Sequence, residues 1–230
     1  MSWNSVWEKI FREQAWGKYP GEELIRFVAR NFYAAPDRSA VRILEVGCGP
    51  GANLWFLARE GFAFAGIDGS STAIAKAEKR LDDECPGWRS FGELRVGDMG
   101  NLPFGDAEFD AVIDNEAVCC NPWDASKAIY AEMARVTKPA GRIFSRTFAD
   151  GTWGEGTGKS AGHHAWFCED GPMAGKGFAR FTTLDEIPVL IAGFDVRSVE
   201  LLTWTLEGRR HEIREWVILG EKPAGTGPTS

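Results

Sequence analysis

The sequence lacks the cysteine patterns of disulfide frameworks and structural zinc sites. It holds five cysteines, an odd number, and no two of them form a C-x-x-C pair. A disulfide framework uses an even number of cysteines, and a structural zinc site normally draws on closely spaced cysteine or histidine pairs. We therefore predict neither a disulfide framework nor a metal site.

Long hydrophobic runs are missing as well. No segment approaches the roughly 18 apolar residues of a membrane-spanning helix. The N-terminal segment carries charges at Glu8 and Lys9 instead of the apolar core of a secretory signal. We therefore expect no membrane association and a cytoplasmic location.

Basic charge is in short supply. Lysine and arginine total 26 against 33 aspartates and glutamates, which gives a net charge of −7, and the basic residues are dispersed along the chain. Because proteins bind nucleic acids through clustered basic residues, the sequence argues against a nucleic-acid partner.

Aromatic residues, in contrast, are abundant. The chain of 230 residues contains 10 tryptophans and 15 phenylalanines, in a composition that is otherwise typical of a soluble globular protein. These aromatics indicate either an aromatic-lined cavity or an ordinary core and surface, and both interpretations stay open. The length fits one large α/β domain.

Apolar runs alternate with helical periodicity in the first two thirds of the chain. This alternation predicts βαβ units around a mostly parallel sheet. The predicted strands cover residues 41–46, 62–67, 93–96, 109–114 and 142–148. The predicted helices cover residues 22–33, the region of Ile74, Ala77 and Leu81, and the region of Ile129, Met133 and Val136 after an N-cap at Asp124.

The alternation breaks after residue 148. Residues 149–177 contain eight glycines and several aromatic and histidine residues, without clear periodicity. So long a segment inside a compact domain is usually functional or disordered, and its aromatics favour function. Thereafter Thr183 and Glu186 form a capping-box pattern for a helix that ends at Gly193, and strands at residues 194–204 and 214–220 are expected to pair antiparallel.

Three alternate glycines follow the first predicted strand. Gly47, Gly49 and Gly51 let the backbone turn sharply and approach a ligand where a Cβ would collide, and Asp68 ends the next strand. A carboxylate at that position can accept hydrogen bonds from both ribose hydroxyls of a nucleoside cofactor. Since Gly47, Gly49 and Ala52 also fit the G-x-G-x-x-G/A pattern of dinucleotide-binding folds, the loop alone does not decide which cofactor binds.

With the remaining motifs, the chain resembles the class I S-adenosylmethionine-dependent methyltransferases over roughly residues 7–223. The segments that carry the resemblance are residues 45–51, 66–70, 97–104, 109–114 and 135–141. The resemblance implies a single-domain, Rossmann-like, seven-stranded, mostly parallel sheet with helices on both faces and an antiparallel C-terminal hairpin. That hairpin separates the chain from the dehydrogenases.

The resemblance also implies a set of residues that bind S-adenosylmethionine: Trp16, Tyr19, Glu45, Gly47, Cys48, Gly49, Gly51, Asp68, Gly69, Ser70, Asp98, Met99 and Asn115. Among these, Glu45 would hold the α-amino group, and Asp68 the ribose. Asp98 would accept from the adenine amino group, Met99 would pack on the adenine ring, and Asn115 would border the methyl group.

Two segments are expected to enclose the site. Residues 1–35 form an N-terminal cover, in which Trp16 and Tyr19 serve either as a lid or as anchors of the first helix, and residues 149–181 form an insertion over the substrate. His163, His164 and Glu116 are the candidates for a catalytic base. The domain is expected to span residues 1–223, with a disordered tail at 224–230.

The implied function is methyl transfer from the cofactor sulfonium to an oxygen, nitrogen or sulfur atom of a small-molecule acceptor, by in-line displacement. A monomer or a homodimer is expected. An NAD(P)-binding oxidoreductase and a non-catalytic S-adenosylmethionine-binding module stay open as alternatives, because the glycine loop suits all three.

Overall fold

The fold is organised by two β-sheets of different size. The structure is a computed structural model that describes residues 4–225. The strands within this part of the chain are β1 (Arg42–Val46), β2 (Ala63–Asp68), β3 (Gly92–Val96), β4 (Phe109–Asn115), β5 (Thr137–Phe148), β6 (Lys159–Gly162), β7 (Ala165–Phe167), β8 (Phe178–Arg180), β9 (Asp195–Leu206) and β10 (His211–Glu221).

Six α-helices occur in the described residues. They are α1 (Val6–Glu13), α2 (Glu22–Phe32), α3 (Ala52–Arg59), α4 (Ser71–Glu84), α5 (Trp123–Val136) and α6 (Ile187–Leu190). The helix predicted at residues 22–33 is confirmed as α2. The helix α1 was not predicted, although Val6, Trp7, Ile10 and Phe11 lie at the spacing of one apolar helical face.

The large sheet has the strand order β3-β2-β1-β4-β5-β10-β9. The first five strands of this order pair in parallel, whereas β10 pairs antiparallel with both β5 and β9. This arrangement confirms the predicted Rossmann-like sheet and its antiparallel C-terminal hairpin. The strand order reverses between β1 and β4, and ligands of such sheets bind at the carboxyl ends of the strands beside this reversal.

Helices cover both faces of the sheet and form two apolar cores. Leu24 and Phe27 of α2 pack with α3 and α4 against one face, around Ile43 and Phe144. The other core contains residues of α5 and α6 together with the opposite sides of the strands. Because β1 is buried on both faces after Arg42, the rest of the strand is apolar except for Glu45.

Helices α5 and α6 begin or end at residues other than those predicted. Asp124 lies in the first turn of α5 and pairs with Lys127, while Pro122 occupies the N-cap position. The capping box at Thr183 is present, but it begins a 3-10 turn and the four-residue helix α6, so the helix ends at Leu190 and not at Gly193. Its shortness follows from Pro188 at the start and the turn after it.

The strands near the C-terminus are longer than predicted. β5 begins at Thr137, because the backbone there already pairs with Phe109 of β4. β9 continues to Leu206 and β10 begins at His211, so the turn between them is shorter than the predicted turn at residues 207–212. Two of the polar residues that suggested a longer turn, His211 and Glu212, belong to β10, where Glu212 is exposed.

The insertion at residues 149–181 contains regular structure that its sequence does not indicate. β6, β7 and β8 form a three-stranded antiparallel sheet, and Met173, Phe181 and Cys168 belong to a small apolar core beneath it. Strands of three or four residues are too short to produce a visible alternation of apolar and polar residues. The sequence of this segment therefore shows no clear period, although part of the segment is regular sheet.

The two ends of the chain bear on two further expectations. Residues 226–230, most of the tail expected to be disordered at 224–230, lie outside the described residues, as do residues 1–3. Among residues 4–225, no helix is both long enough and apolar enough to cross a membrane. The domain boundary at residue 223 stays a prediction.

Candidate functional site

A cavity of about 510 Å³ opens where β1, β2, β4 and β5 end. Its floor is the glycine loop after β1, and its cover consists of α1 and the following residues on one side and the insertion on the other. Every strand that contributes a lining residue does so at or near its carboxyl end. The topology of the sheet therefore places the cavity at the reversal of strand order.

The glycine loop has no room for side chains. Gly47 has a φ of +63°, and a Cβ on it would lie 2.2 Å from the Cβ of Ala117. Gly51 has a φ of +78°, and a Cβ there would lie 2.8 Å from the Cβ of Ala77. The loop is thus wedged between the turn after β4 and helix α4, and it presents bare backbone to the cavity.

Asp68 fixes the shape of this loop from the end of β2. Its Oδ2 accepts a hydrogen bond from the backbone N–H of Gly49 at 2.8 Å, and its Oδ1 accepts one from that of Ser70 at 2.8 Å. Burial raises the pKa of this carboxyl, although the two backbone N–H groups oppose the rise. Asp68 also lines the cavity, so the carboxylate that orders the loop also faces a ligand.

Glu45 is buried in β1 beneath the same loop and is 3% exposed. Its Oε1 accepts a hydrogen bond from the side-chain amide of Asn53 at 2.6 Å, while no donor among the described residues reaches its Oε2. Burial raises the pKa of Glu45 to about 8. A buried acceptor without a partner beside a cavity fits a ligand that carries an ammonium group, as S-adenosylmethionine does.

The opposite wall begins at the end of β4. The Oδ1 of Asp114 accepts hydrogen bonds from the backbone N–H groups of Ala117 at 3.1 Å and Val118 at 3.0 Å, which holds the turn after the strand. This turn directs Asn115 and Glu116 into the cavity lining. The Oε1 of Glu116 lies 3.1 Å from the Nε of Arg146 on β5.

An aromatic cluster covers the cavity from the N-terminal side. The ring of Trp16 lies 5.8 Å from that of Trp7 and 5.3 Å from that of Phe11, and the Nζ of Lys176 lies 5.7 Å from its centre. Tyr19 packs edge-on against Trp55 of α3 at 5.4 Å. Trp16 and Tyr19 both line the cavity and both anchor the cover, so both functions proposed for them from the sequence are compatible with their positions.

The cover is attached to the body of the domain through α1. The carboxylate of Glu8 accepts hydrogen bonds from the hydroxyls of Ser70 and Thr72 at the start of α4, and these bonds lower its pKa. The Nζ of Lys76 binds the carbonyl oxygen of Phe11. Helix α1 is thereby held over the loop that follows β2.

Several of the predicted site residues do not line the cavity. His163 and His164 lie at the turn between β6 and β7, where the Nε2 of His163 is 2.6 Å from the Oε1 of Glu186 and its ring packs on Trp123. Neither histidine belongs to the cavity wall formed by residues 4–225. Of the three predicted base candidates, the structure brings only Glu116 to the cavity.

Gly51, Ser70 and Asp98 also lie outside the cavity lining within the described residues. Ser70 caps α4 by accepting from the backbone N–H of Ala73, and Gly51 precedes α3, so both shape the walls from behind. The Oδ1 of Asp98 accepts from the backbone N–H of Gly100 at 2.9 Å, whereas the neighbouring Met99 does line the cavity. The predicted contact of Asp98 with an adenine stays a prediction.

Other residues of the cavity wall were not predicted from the sequence. They are Trp7, Phe11, Asn53, Cys120, Asn121, Arg146, Phe148, Met173 and Lys176, among others. The apolar spacing of α1 could have indicated Trp7 and Phe11. Arg146 and Phe148 alternate with buried residues near the end of a strand, a position that could have suggested a site. For Met173 and Lys176 the sequence offers no comparable pattern.

Known proteins resemble this chain in sequence and in fold. Residues 43–141 match a family model described as a methyltransferase domain. A solved SAM-dependent methyltransferase from Methanosarcina mazei superimposes with a TM-score of 0.66 at 21% identity, covering 85% of this chain and 97% of that one. Over residues 43–141 the chain is similar to this methyltransferase family, and it has the Rossmann-like fold of the solved S-adenosylmethionine-dependent methyltransferase. The fold predicted from the sequence is confirmed, and the predicted family resemblance agrees with both matches.

Two further proteins that resemble this chain, one in sequence and one in fold, are named as methyltransferases of different compounds. The phthiotriol/phenolphthiotriol dimycocerosates methyltransferase of Mycobacterium leprae is 36% identical over 107 residues, which are 46% of this chain and 37% of that protein. The geranyl diphosphate C-methyltransferase of Streptomyces coelicolor, solved with S-adenosyl-L-homocysteine, has a TM-score of 0.62 at 15% identity and covers 86% of this chain and 76% of that one. The first match spans well under half of the curated relative's length.

Proposed function

We propose that the chain transfers a methyl group from S-adenosylmethionine to an oxygen, nitrogen or sulfur atom of a small molecule. The observation that supports this proposal is that Asp68 and Glu45 both lie at one cavity beside the glycine loop. No donor among the described residues reaches the Oε2 of Glu45. Two carboxylates so placed suit a ligand with hydroxyl donors at one end and an ammonium group at the other.

Each part of the cavity then has a task in binding. Asp68 accepts from the ribose hydroxyls, Glu45 accepts from the α-ammonium group, and Met99 packs beside the adenine. The bound cofactor supplies an activated methyl group on a positively charged sulfur. The chain contributes orientation, since it encloses both reactants in one cavity, and effective molarities of this kind correspond to about 7–11 kcal/mol of the barrier.

The aromatic cover suits the charge of the cofactor. The rings of Trp7, Phe11 and Trp16 form one face of the cavity, and aromatic faces attract cations such as a sulfonium centre. The cover also excludes water from the acceptor. The lid function of residues 1–35 stays a prediction. It can be tested by weakening the contacts of Glu8 that attach α1.

A small acceptor is supported by the cavity volume of about 510 Å³ and by the relative from Mycobacterium leprae, which is named for phthiotriol and phenolphthiotriol dimycocerosates. The net charge of −7 supports the absence of a nucleic-acid partner. A cytoplasmic location and a monomeric or homodimeric state complete the proposal.

Calorimetric titration with S-adenosylmethionine, S-adenosylhomocysteine and NAD tests this function. We expect micromolar affinity for both sulfur nucleosides and no heat with NAD. Binding of NAD alone would replace the proposal with the oxidoreductase alternative. Binding of S-adenosylmethionine without product from any acceptor would favour a non-catalytic binding module.

A further inference from the structure

Three charged side chains, from the turn after β4, from β5 and from β10, meet at the wall opposite the glycine loop. Glu116 follows β4, Arg146 lies on β5, and Glu215 lies on β10. The Nε of Arg146 is 3.1 Å from the Oε1 of Glu116, and the same nitrogen binds Glu215. Glu116 and Arg146 line the cavity, while Glu215 stands behind them and is only 2% exposed.

The sheet itself brings these residues together. Asn115 pairs with Arg146 in the parallel register of β4 and β5, and Arg146 pairs with Val217 in the antiparallel register of β5 and β10. Glu215 lies two residues before Val217, so its side chain leaves the sheet on the same face. The cluster therefore depends on the antiparallel position of β10.

The backbone of Glu116 is strained in a way that aims its carboxylate. Its φ is +61°, a left-handed conformation that costs a non-glycine residue roughly 1–2 kcal/mol. The conformation is maintained because the N–H of Glu116 binds the carbonyl oxygen of Arg146 at 2.8 Å, and because the thiols of Cys119 and Cys120 donate to its carbonyl oxygen. Strain that neighbouring contacts maintain beside a cavity is typical of functional residues.

The charges of the cluster balance only when one carboxyl is protonated. Burial, together with the neighbouring carboxylate of Glu116, raises the pKa of Glu215 to about 9, and Arg146 opposes this rise. Glu215 is hydrogen bonded to Glu116. At neutral pH Glu215 therefore holds a proton and shares it in its hydrogen bond to Glu116, which also lies beside the Arg146 guanidinium.

Other charged groups near the cluster leave this balance intact. Glu23 on α2 adds a negative charge on the side of Arg146, and the ring of Trp204 on β9 lies 5.5 Å from the guanidinium carbon. Asp114, the next acidic residue in β4, binds Tyr130 and Ser145 and does not join the cluster. The carboxylate that reaches the cavity from this cluster is that of Glu116.

We propose that Glu116 is the catalytic base of the methyl transfer and that Arg146 and Glu215 are its positioning residues. This inference rests on the proposed methyltransferase function. The acceptor atom bonds to the methyl carbon as its own proton moves to the Glu116 carboxylate. The electron pair of the broken carbon–sulfur bond stays on sulfur, and Glu116 later releases the proton to water.

The composition of the cluster also selects the acceptor class. The charge of Arg146 is already matched by Glu116, so an acceptor carboxylate at this wall would meet the negative group of Glu116. Lys176 also lines the cavity, but its ammonium group lies beside Trp16 in the cover. A neutral hydroxyl or amine, in contrast, can donate a hydrogen bond to Glu116. The acceptors expected at this wall are therefore compounds with a hydroxyl or amino group, such as alcohols, phenols and amines.

The shared proton can be tested without any acceptor. Carbon NMR of protein labelled at the glutamate side-chain carboxyls follows each carboxyl through a pH titration, and E116Q and E215Q assign the two resonances. We expect two carboxyls to titrate above pH 7, those of Glu45 and Glu215, and only the titration of Glu215 to move downward in E116Q. E212Q, which changes an exposed glutamate of the same strand, serves as the matched control and leaves that titration unchanged.

The catalytic role is tested by turnover against a panel of alcohols, phenols, amines, thiols and carboxylates. We expect product from hydroxyl or amino compounds, a 10²- to 10⁴-fold loss of kcat in E116Q with unchanged affinity for S-adenosylmethionine, and an altered pH profile in E215Q. R146K, which keeps the charge, retains more activity than R146M. E212Q retains full activity.

Several results would overturn the proposal. A Glu215 carboxyl that titrates below pH 6 excludes the shared proton, and E116Q with turnover within threefold of the wild type excludes the base. Product from carboxylates alone, with R146K raising only KM, would make Arg146 an anion-binding residue instead. If the wild-type protein does not bind S-adenosylmethionine, the proposed function fails, but the NMR titration still decides whether the carboxyl pair exists.

Discussion

The two sides of the cavity are built in different ways. The side with the glycine loop is formed by residues that lie between Glu45 and Gly69, from two neighbouring parallel strands and the loops that follow them. The opposite side combines Glu116, Arg146 and Met173, which are far apart in the sequence. A ligand site formed from one short segment can be recognised from its pattern, whereas a site assembled by tertiary structure cannot.

The difference extends to what each side can bind. The glycine-loop side offers bare backbone and two carboxyls whose partners are mostly backbone and amide N–H groups. The opposite side offers a carboxylate already paired with Arg146, surrounded by aromatic rings and Met173. The first arrangement suits a cofactor that many proteins share, and the second suits an acceptor particular to this protein.

Asp68→Ala should produce the largest effect, and only on the glycine-loop side. The variant removes two charge-assisted hydrogen bonds to the ribose, each worth about 1.5–3 kcal/mol, so affinity for S-adenosylmethionine should fall at least about 100-fold. Calorimetry measures the loss. D83A, at an exposed aspartate of α4, is the control. Unchanged affinity in D68A would remove the ribose assignment.

Gly47→Ala should damage both sides, since Gly47 touches the turn that carries Glu116. A Cβ at 2.2 Å from that of Ala117 combines with a φ of +63°, and overpacking and backbone strain together cost about 3 kcal/mol. Chemical denaturation measures the free energy of unfolding. Gly61 has a similar φ of +82° but no described atom within 4 Å of a Cβ, so G61A should cost only about 1 kcal/mol. Equal losses in the two variants would show that crowding at Ala117 is unimportant.

The burial of Glu45 should make the free energy of unfolding depend on pH. The pKa of Glu45 rises from 4.5 to about 8 in the folded protein, because burial penalises its charged form. A raised folded pKa means that the folded state binds the proton more tightly, so stability falls as pH rises from about 4.5 to about 8. E45Q should flatten this slope in the ligand-free protein, measured by denaturation at several pH values. A slope as steep as that of the wild type would contradict the buried, protonated Glu45.

Glu8→Gln should have the smallest effect, confined to the cover. The variant weakens the hydrogen bonds from Ser70 and Thr72 that hold α1, so amide hydrogens of α1 should exchange faster while the melting temperature changes little. The lowered pKa of Glu8 implies the same loosening in the wild type as pH falls through that pKa. E13Q, on the same helix, is the control. Equal exchange in E8Q and the wild type would show that α1 is held by its aromatic residues alone.

The two sides of the cavity also differ in how far the sequence predicts them. The parallel strands, Gly47, Gly49, Asp68 and the terminal hairpin were predicted because each depends on neighbouring residues or on a simple period. The positions of His163 and His164 were not, because a hairpin of very short strands carries them to Glu186 and Trp123. The cluster of Glu116, Arg146 and Glu215 depends on strand register, which no local pattern specifies.

A crystal structure with bound S-adenosylhomocysteine would test the division of the cavity most directly. We predict the ribose on Asp68, the amino group on the Oε2 of Glu45, and the sulfur atom directed at the wall that Asn115 and Glu116 form. A ligand whose sulfur points away from Glu116, or whose ribose lies apart from Asp68, would contradict the account.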